Sequence, residues 1–282
     1  MQFPADFTAR EQALLGPRFA ELYAYATPQP ARGVTVNGLR CTPEWFAAHA
    51  DFAAALSPFC PTAFTTAPDF KPGRHPWHHA GVFYAQEPSA SAPAALLDVH
   101  PGMKVADLCA APGGKTTHIA ELMENRGRVI AFDIHKHKIA LIENAASRLG
   151  IDIIEAKCAD SEKLSEEYIG CADRVLADVP CSGIGVIHKK PDIKYNRRPE
   201  DIEQLCKIQE KILENAARYL KDGGVLVYST CTIFKDENEY QIERFLERHD
   251  EFEKEFEKLY LAHETGGSGF YICRMVKNSA RV

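Results

Sequence analysis

A change of rhythm at Gly102 constrains the fold of this 282-residue chain more than any other feature. From there on, short runs rich in Val, Ile, Leu and Ala alternate with longer stretches whose apolar residues recur every three or four positions. Such alternation builds a parallel sheet covered by helices, because two neighbouring parallel strands can be joined only by a crossover, and the crossover is usually a helix. The spacing predicts strands over 104–108, 128–132, 152–156, 174–177 and 225–228, and helices over 115–123, 135–149, 199–220 and 236–248. Segments 256–261 and 269–276 read as a final antiparallel pair turning at Gly266-Gly267, which gives a mostly parallel, seven-stranded α/β sheet. In such a sheet ligands bind beyond the carboxyl ends of the strands, so the residues just past those ends carry the function.

Upstream, prolines from Pro28 to Pro101 cut the chain into short elements, since proline supplies no N–H and biases the residue before it away from the helix. This part reads as two short helices over 7–26, a strand over 33–39 and a helix over 43–55 opened by Thr42 as its N-cap. The expected division is a small α+β accessory region over 1–100 and a larger α/β domain over 101–282.

No apolar run approaches the roughly 20 residues needed to cross a bilayer, and Met1–Arg10 lacks a basic stretch followed by an apolar one, so a cytoplasmic address and no membrane partner are expected. Nine cysteines, an odd number with no C-x-x-C pair, read as reduced thiols and not as a metal site or disulfide scaffold. Most of them, Cys158 and Cys171 included, are expected to be small core residues. A net charge of -6 gives no support to wholesale attraction to nucleic acid. Any nucleic acid must then be held by local patches, the densest running from His188-Lys189-Lys190 through Lys194 to Arg197-Arg198, with a smaller one at Arg74, His75, His78 and His79. With no large apolar surface evident, a monomer is expected.

The first strand of the alternating region runs into Asp107-Leu108-Cys109-Ala110-Ala111-Pro112-Gly113-Gly114-Lys115-Thr116, and a helix follows at once. Small residues there let the backbone approach a ligand, but the string is neither a P-loop nor a G-x-G-x-x-G dinucleotide motif. Asp133 ends the second strand, where a carboxylate can accept from both hydroxyls of a ribose, and Asp160 follows the third, placed to meet an exocyclic amine. Aspartates at successive strand ends around a small-residue turn fit an adenosine ligand without a diphosphate, and S-adenosylmethionine is the natural candidate. The plainer alternative is a tight turn with helix-capping aspartates.

The fourth strand runs into Asp178-Val179-Pro180-Cys181-Ser182-Gly183, and the fifth into Tyr228-Ser229-Thr230-Cys231-Thr232, so two cysteines are expected at neighbouring strand ends. Adding a thiolate to C6 of a pyrimidine makes C5 nucleophilic enough to take a methyl group, and a second thiol can assist release. Asp178, if partly desolvated with a raised pKa, could act as an acid near N3. Pro180 fixes the chain before Cys181, and Gly183 and Gly185 are expected to leave room for a base.

The strings at 107–116, 178–185 and 228–232 resemble the signature motifs of the RsmB/Nop2/Sun family of RNA cytosine-C5 methyltransferases, and Gln86-Glu87-Pro88-Ser89 and Gly269-Phe270-Tyr271-Ile272 extend the likeness. The resemblance implies a Rossmann-like class I methyltransferase domain with Cys231 as nucleophile and Cys181 assisting release. It also implies cofactor contacts from Cys109 to Lys115 and from Asp133, Asp160 and Asp178, and RNA near Lys189–Arg198. The stretch 58–115 looks RsmF-like and 134–249 closer to RsmB, without the further RNA-binding domains of either. The implied substrate is 16S rRNA, with tRNA the nearest alternative. A DNA enzyme would take its nucleophile from the Pro-Cys motif. A non-catalytic RNA-binding assembly factor would need neither thiol.

Overall fold

The computed structural model describes residues 5–17, 19–20, 23, 32–196, 198–265 and 267–279. Helix α1 (Ala5–Leu15) precedes an antiparallel sheet of β1 (Gly33–Val36), β2 (Ala53–Leu56), β3 (Ala63–Thr66) and β4 (Phe83–Gln86) in the order β2-β3-β1-β4. Helix α2 (Pro43–His49) opens on Thr42, whose hydroxyl accepts from the Trp45 N–H. It ends well short of the predicted residue 55. Ala50 turns extended, Phe52 packs on Phe46, Phe70 and Phe83, and the alanine-rich stretch that looked helical becomes β2 paired to β3. Only α1 of the predicted helix pair can be traced, because most of 18–31 lies outside the described residues.

The sheet docks through Asn37, which ends β1 sooner than predicted. Its buried amide donates to Gly81 O at 2.8 Å and to Leu149 O at 2.9 Å. Both acceptors are backbone groups of neighbouring elements, so losing this amide would leave buried carbonyls unpaired at a cost of about 1–3 kcal/mol.

The large sheet contains β5 (Lys104–Asp107), β6 (Arg128–Asp133), β7 (Ile154–Cys158), β8 (Ala172–Asp178), β9 (Leu220–Thr230), β10 (Phe252–Tyr260) and β11 (Phe270–Lys277). Their order is β10-β11-β9-β8-β5-β6-β7, parallel from β9 through β7 with β10 and β11 antiparallel, the α/β class expected. The predicted turn residue Gly266 lies outside the described residues, and α-helical residues Ala262–Thr265 precede it.

Side chains alternate between two cores, as the pleat requires. Ala106, Ile130, Ala177, Leu226 and Tyr228 pack under α5 (Pro199–Tyr219) and α6 (Glu239–Arg248), counting α3 (Gly114–Leu122) and α4 (Lys136–Leu149) as the helices before them. Val105, Val129, Leu176, Val225 and Val227 pack with Ile119, Met123, Ala146 and Leu149 of α3 and α4. Truncating a fully buried Ile or Leu here, such as Ile119→Ala, would cost about 2–5 kcal/mol.

All nine cysteines are unbridged, but only Cys60 and Cys273 are buried. Cys158, expected in the core, is exposed because it closes β7 at the sheet edge, and Cys171 is half-buried. Among the described residues no helix is long and apolar enough to cross a membrane and no cluster could hold a metal ion.

Candidate active site

Strand order reverses at β5: the chain winds outward through β6 and β7, then returns to β8 on the other side. The carboxyl ends of β5 and β8 therefore diverge into a crevice, the usual ligand site of a wound sheet. Asp107 ends β5 and Asp178 ends β8, and between them lies a cavity of about 230 Å³ lined by Cys109, Ala110, Ala111, Pro112, Gly114, Lys115, Tyr84 and Gln86.

Asp107 is buried. Its Oδ2 accepts from Thr116 Oγ1 at 2.7 Å, while Oδ1 has no hydrogen-bond partner. Burial, with the nearby Asp178 adding to it, pushes its carboxyl up to about 7. Gly113, at φ 104°, turns the chain into α3; a side chain there would press on Ile142, and one on Gly114 would meet the Tyr84 ring. These two positions thus need glycine for turn and for close packing against β4. Asp133 accepts from the His135 N–H at 2.9 Å and Asp160 from the Glu162 N–H at 3.1 Å. Both stand beside the cavity and not in its wall, at the ends of β6 and β7.

Asp178 is held on both oxygens: Lys115 Nζ donates to Oδ2 at 2.8 Å and Ser229 Oγ to Oδ1 at 2.7 Å. Burial works against the Lys115 charge, but Asp178 outweighs it, and the ammonium is held above its ordinary value. Lys115 also lies 5.8 Å over the Phe270 ring.

Beyond β8 and β9 the two predicted cysteines meet, with Cys181 Sγ and Cys231 Sγ 3.2 Å apart and the Cys231 N–H donating to Cys181 Sγ at 3.3 Å. The hydrogen bond from Cys181 draws the Cys231 thiol below its ordinary value, Lys115 and Lys190 acting in the same direction against burial and Asp178. That shared hydrogen bond and burial hold the Cys181 thiol well above its ordinary value, and Glu237 adds to the rise. A thiolate is the nucleophilic form, so the pair is polarised toward Cys231.

The room expected beside Gly185 is taken up by backbone. Its N–H donates to Cys231 O at 3.0 Å, its carbonyl accepts from the Gly269 N–H at 2.8 Å, and any side chain would strike Gly269 O. Gly185 thus clamps the Cys231 loop to the start of β11, which is a packing role.

Of the predicted basic segment, Lys189 is half-buried and lies 3.9 Å from Glu87, and burial pushes its ammonium down. Lys190 is exposed near Cys231. Arg198 caps α5, its N–H donating to Asp201 Oδ2 at 2.9 Å. Arg197 and the Lys194 side chain lie outside the described residues.

Sequence reasoning passed over Tyr84 of β4, and also Gln209 and Glu237, which stand behind the Cys181 loop. The nearest signal was the Gln86-Glu87-Pro88-Ser89 string, whose Glu87 Oε1 accepts from the Ser268 N–H at 3.0 Å and ties the N-terminal sheet to the start of β11.

Residues 94–275 match the family of 16S rRNA methyltransferase RsmB/F, and residues 3–88 match the N-terminal domain of 16S rRNA methyltransferase RsmF. The chain is 44% identical over 215 residues to the probable ribosomal RNA small subunit methyltransferase B of Bacillus subtilis (strain 168), covering 70% of this chain and 48% of that protein. It is 36% identical over 238 residues to the ribosomal RNA small subunit methyltransferase B of Serratia proteamaculans (strain 568), covering 81% of this chain and 53% of that one. It thus spans about half the length of these curated relatives. Among solved structures, a methyltransferase homolog protein from Pyrococcus horikoshii superposes with a TM-score of 0.84 at 30% identity, covering 98% of this chain and 95% of that one. The wound sheet, the crevice at its switch point and a family match running from residue 94 to residue 275 agree: the chain belongs to the RsmB/F family of 16S rRNA methyltransferases.

Proposed function

We propose that the chain methylates C5 of a cytosine in small-subunit ribosomal RNA through a covalent bond between Cys231 and C6. The contact of two thiols at 3.2 Å, one drawn toward thiolate and the other held protonated, carries this reading. The Cys231 thiolate adds to C6, and the C5–C6 π electrons move into the ring, where a hydrogen-bonding partner at N3 stabilises them. Asp178, ending β8, is the residue we assign to that partnership: in its protonated form it gives its proton to N3 as the thiolate adds and takes it back as the thiolate leaves. S-adenosylmethionine, when bound, supplies the methyl group. A base then takes the C5 proton as the C6–S bond breaks. Cys181 assists by donating its hydrogen bond to the departing sulfur, which restores the starting pair.

The residues around the cavity fit that cofactor. A cationic amino-acid sulfonium suits a site walled by Asp107 and Asp178, with a buried Asp107 oxygen still unpartnered. Asp133 would hold the ribose hydroxyls and Asp160 the adenine amine, with the backbone from Cys109 to Lys115 beneath.

RNA reaches the thiols past Lys189, Lys190, Lys194, Arg197 and Arg198. The region 1–100 extends this path and the region 101–282 holds the chemistry. Arg32, Lys71, Arg74 and His75 line a cavity of about 590 Å³ together with Asp69 and Phe70 beside the N-terminal sheet. An RNA substrate of this kind places the work in the cytoplasm.

The test is nucleoside mass spectrometry of unmodified small-subunit RNA after incubation with the protein and S-adenosylmethionine, with tRNA in parallel. The reading predicts 5-methylcytidine in the ribosomal RNA. A methyl group on another atom, or modification of tRNA alone, would overturn the chemistry or the substrate respectively.

A further inference from the structure

Behind the Cys181 loop lies a buried polar network that takes no part in the steps above. Glu237 is fully buried, and its Oε2 accepts from the Ser182 N–H at 2.8 Å and from Gln209 Nε2 at 2.9 Å. The same Gln209 amide nitrogen donates to Pro180 O at 2.9 Å, so one side chain of α5 grips both the carbonyl before Cys181 and the carboxylate. Glu237 Oε1 is buried with no hydrogen-bond partner. The Glu237 carbonyl accepts from Tyr228 Oη at 2.7 Å, which fixes this residue to β9 only three positions before Cys231. A carboxylate taken out of water for packing alone would be costly unless fully paired. This one keeps an unpaired oxygen and is aimed at the amide adjoining a reactive thiol.

We propose that Glu237 is a positioning residue that keeps the proton shared by the two thiols on Cys181 and so leaves the thiolate on Cys231. Its negative charge stands on the Cys181 side of the pair. The charges facing Cys231 are the cations Lys115, Lys189 and Lys190, opposed by Asp178. A thiolate on Cys181 would face Glu237 across one peptide group, whereas a thiolate on Cys231 faces the lysines. Glu237 also raises the Cys181 thiol, in agreement with this placement. Gln209 supplies alignment: it holds the carboxylate and the Pro180 carbonyl in register but contributes no charge.

The inference rests on Cys231 being the nucleophile, but its test uses no RNA, so the two can fail separately. The full chain is treated with limiting iodoacetamide at neutral pH, and labelling of Cys231 and Cys181 is quantified by peptide mass spectrometry. In Glu237→Gln the ratio of Cys231 to Cys181 labelling is expected to fall by about tenfold, the change that one pKa unit of differential interaction represents. Glu237→Asp, which restores the charge, and Gln209→Leu, which leaves it in place, are expected to keep the ratio within about threefold of the parent chain. An unchanged ratio in Glu237→Gln, or an equal fall in Glu237→Asp, overturns the proposal. If Glu237→Gln shows no cooperative melting transition, the other two variants decide: a ratio kept in both supports the role of the charge, and a ratio lost in either removes it.

Discussion

The loops after β8 and β9 present the same residue type at equivalent places, on adjacent parallel strands, with sulfurs 3.2 Å apart. Their surroundings are nevertheless opposite. Cys231 faces cations delivered by the start of α3 and by the segment after Gly185, whereas Cys181 is enclosed over Gln209 of α5 and Glu237. Under the proposed function, neighbours from distant parts of the chain, and not local sequence, decide which thiol is the nucleophile and which the proton holder. Position at a strand end brings a cysteine to the crevice, and the charges around it assign its work.

The largest effect that could break this asymmetry is loss of the nucleophile. Cys231→Ala is expected to lower methyl transfer by at least about 10³-fold, on the scale seen when a nucleophile is removed from other enzymes; steady-state transfer of labelled methyl groups to RNA checks it. Cys181→Ala is expected to slow turnover by roughly 10²-fold, the scale of a lost proton-handling group, with the loss confined to release. A burst of one methyl group per protein followed by a slow phase would be its signature, and uniformly slow transfer without a burst would contradict it.

A smaller effect concerns pH. Because Lys115 helps draw the Cys231 thiol below its ordinary value, Lys115→Met should move the midpoint of Cys231 alkylation upward. The thiolate of the parent chain forms at lower pH than that of the variant, so at neutral pH the variant should react several-fold more slowly, by about one charge interaction screened by protein and water. A midpoint that stays or falls would show that Lys115 does not act on this thiol. The smallest effect is structural. Ser182 Oγ and Thr232 Oγ1 lie 2.7 Å apart and tie the two loops together. Thr232→Val should cost about 1–3 kcal/mol in thermal unfolding while leaving the order of thiol reactivity unchanged.

The same contrast between local and distant information explains what could be read from the sequence. The strands β5, β6, β8 and β9 were legible because apolar residues fill both faces and an Asp or a Ser/Thr/Cys string marks each carboxyl end. Strand ends were less so: β7 and β10 at the rims differ from prediction there, and central β9 begins at Leu220, where the helical pattern of 199–220 still runs. The N-terminal sheet was mostly hidden. Its strands are four residues long, and Ala53–Leu56 has the composition of a helix, so pairing with β3 and the packing of Phe52 overrode propensity. In the site, Cys181, Cys231, Asp178 and the turn at Gly113 were legible as residues. The closing of the cavity by Tyr84 and the seat of Glu237 behind Cys181 were not, since each depends on elements remote in sequence meeting at one point.

The central claim is that Cys231 bonds the base and Cys181 releases it. It is tested most directly by incubating the chain and its Cys231→Ala and Cys181→Ala variants with S-adenosylmethionine and small-subunit RNA and resolving the products on a denaturing gel. The account predicts RNA that stays attached to Cys181→Ala and none attached to Cys231→Ala. An adduct formed by Cys231→Ala, or its accumulation there in place of Cys181→Ala, would contradict it.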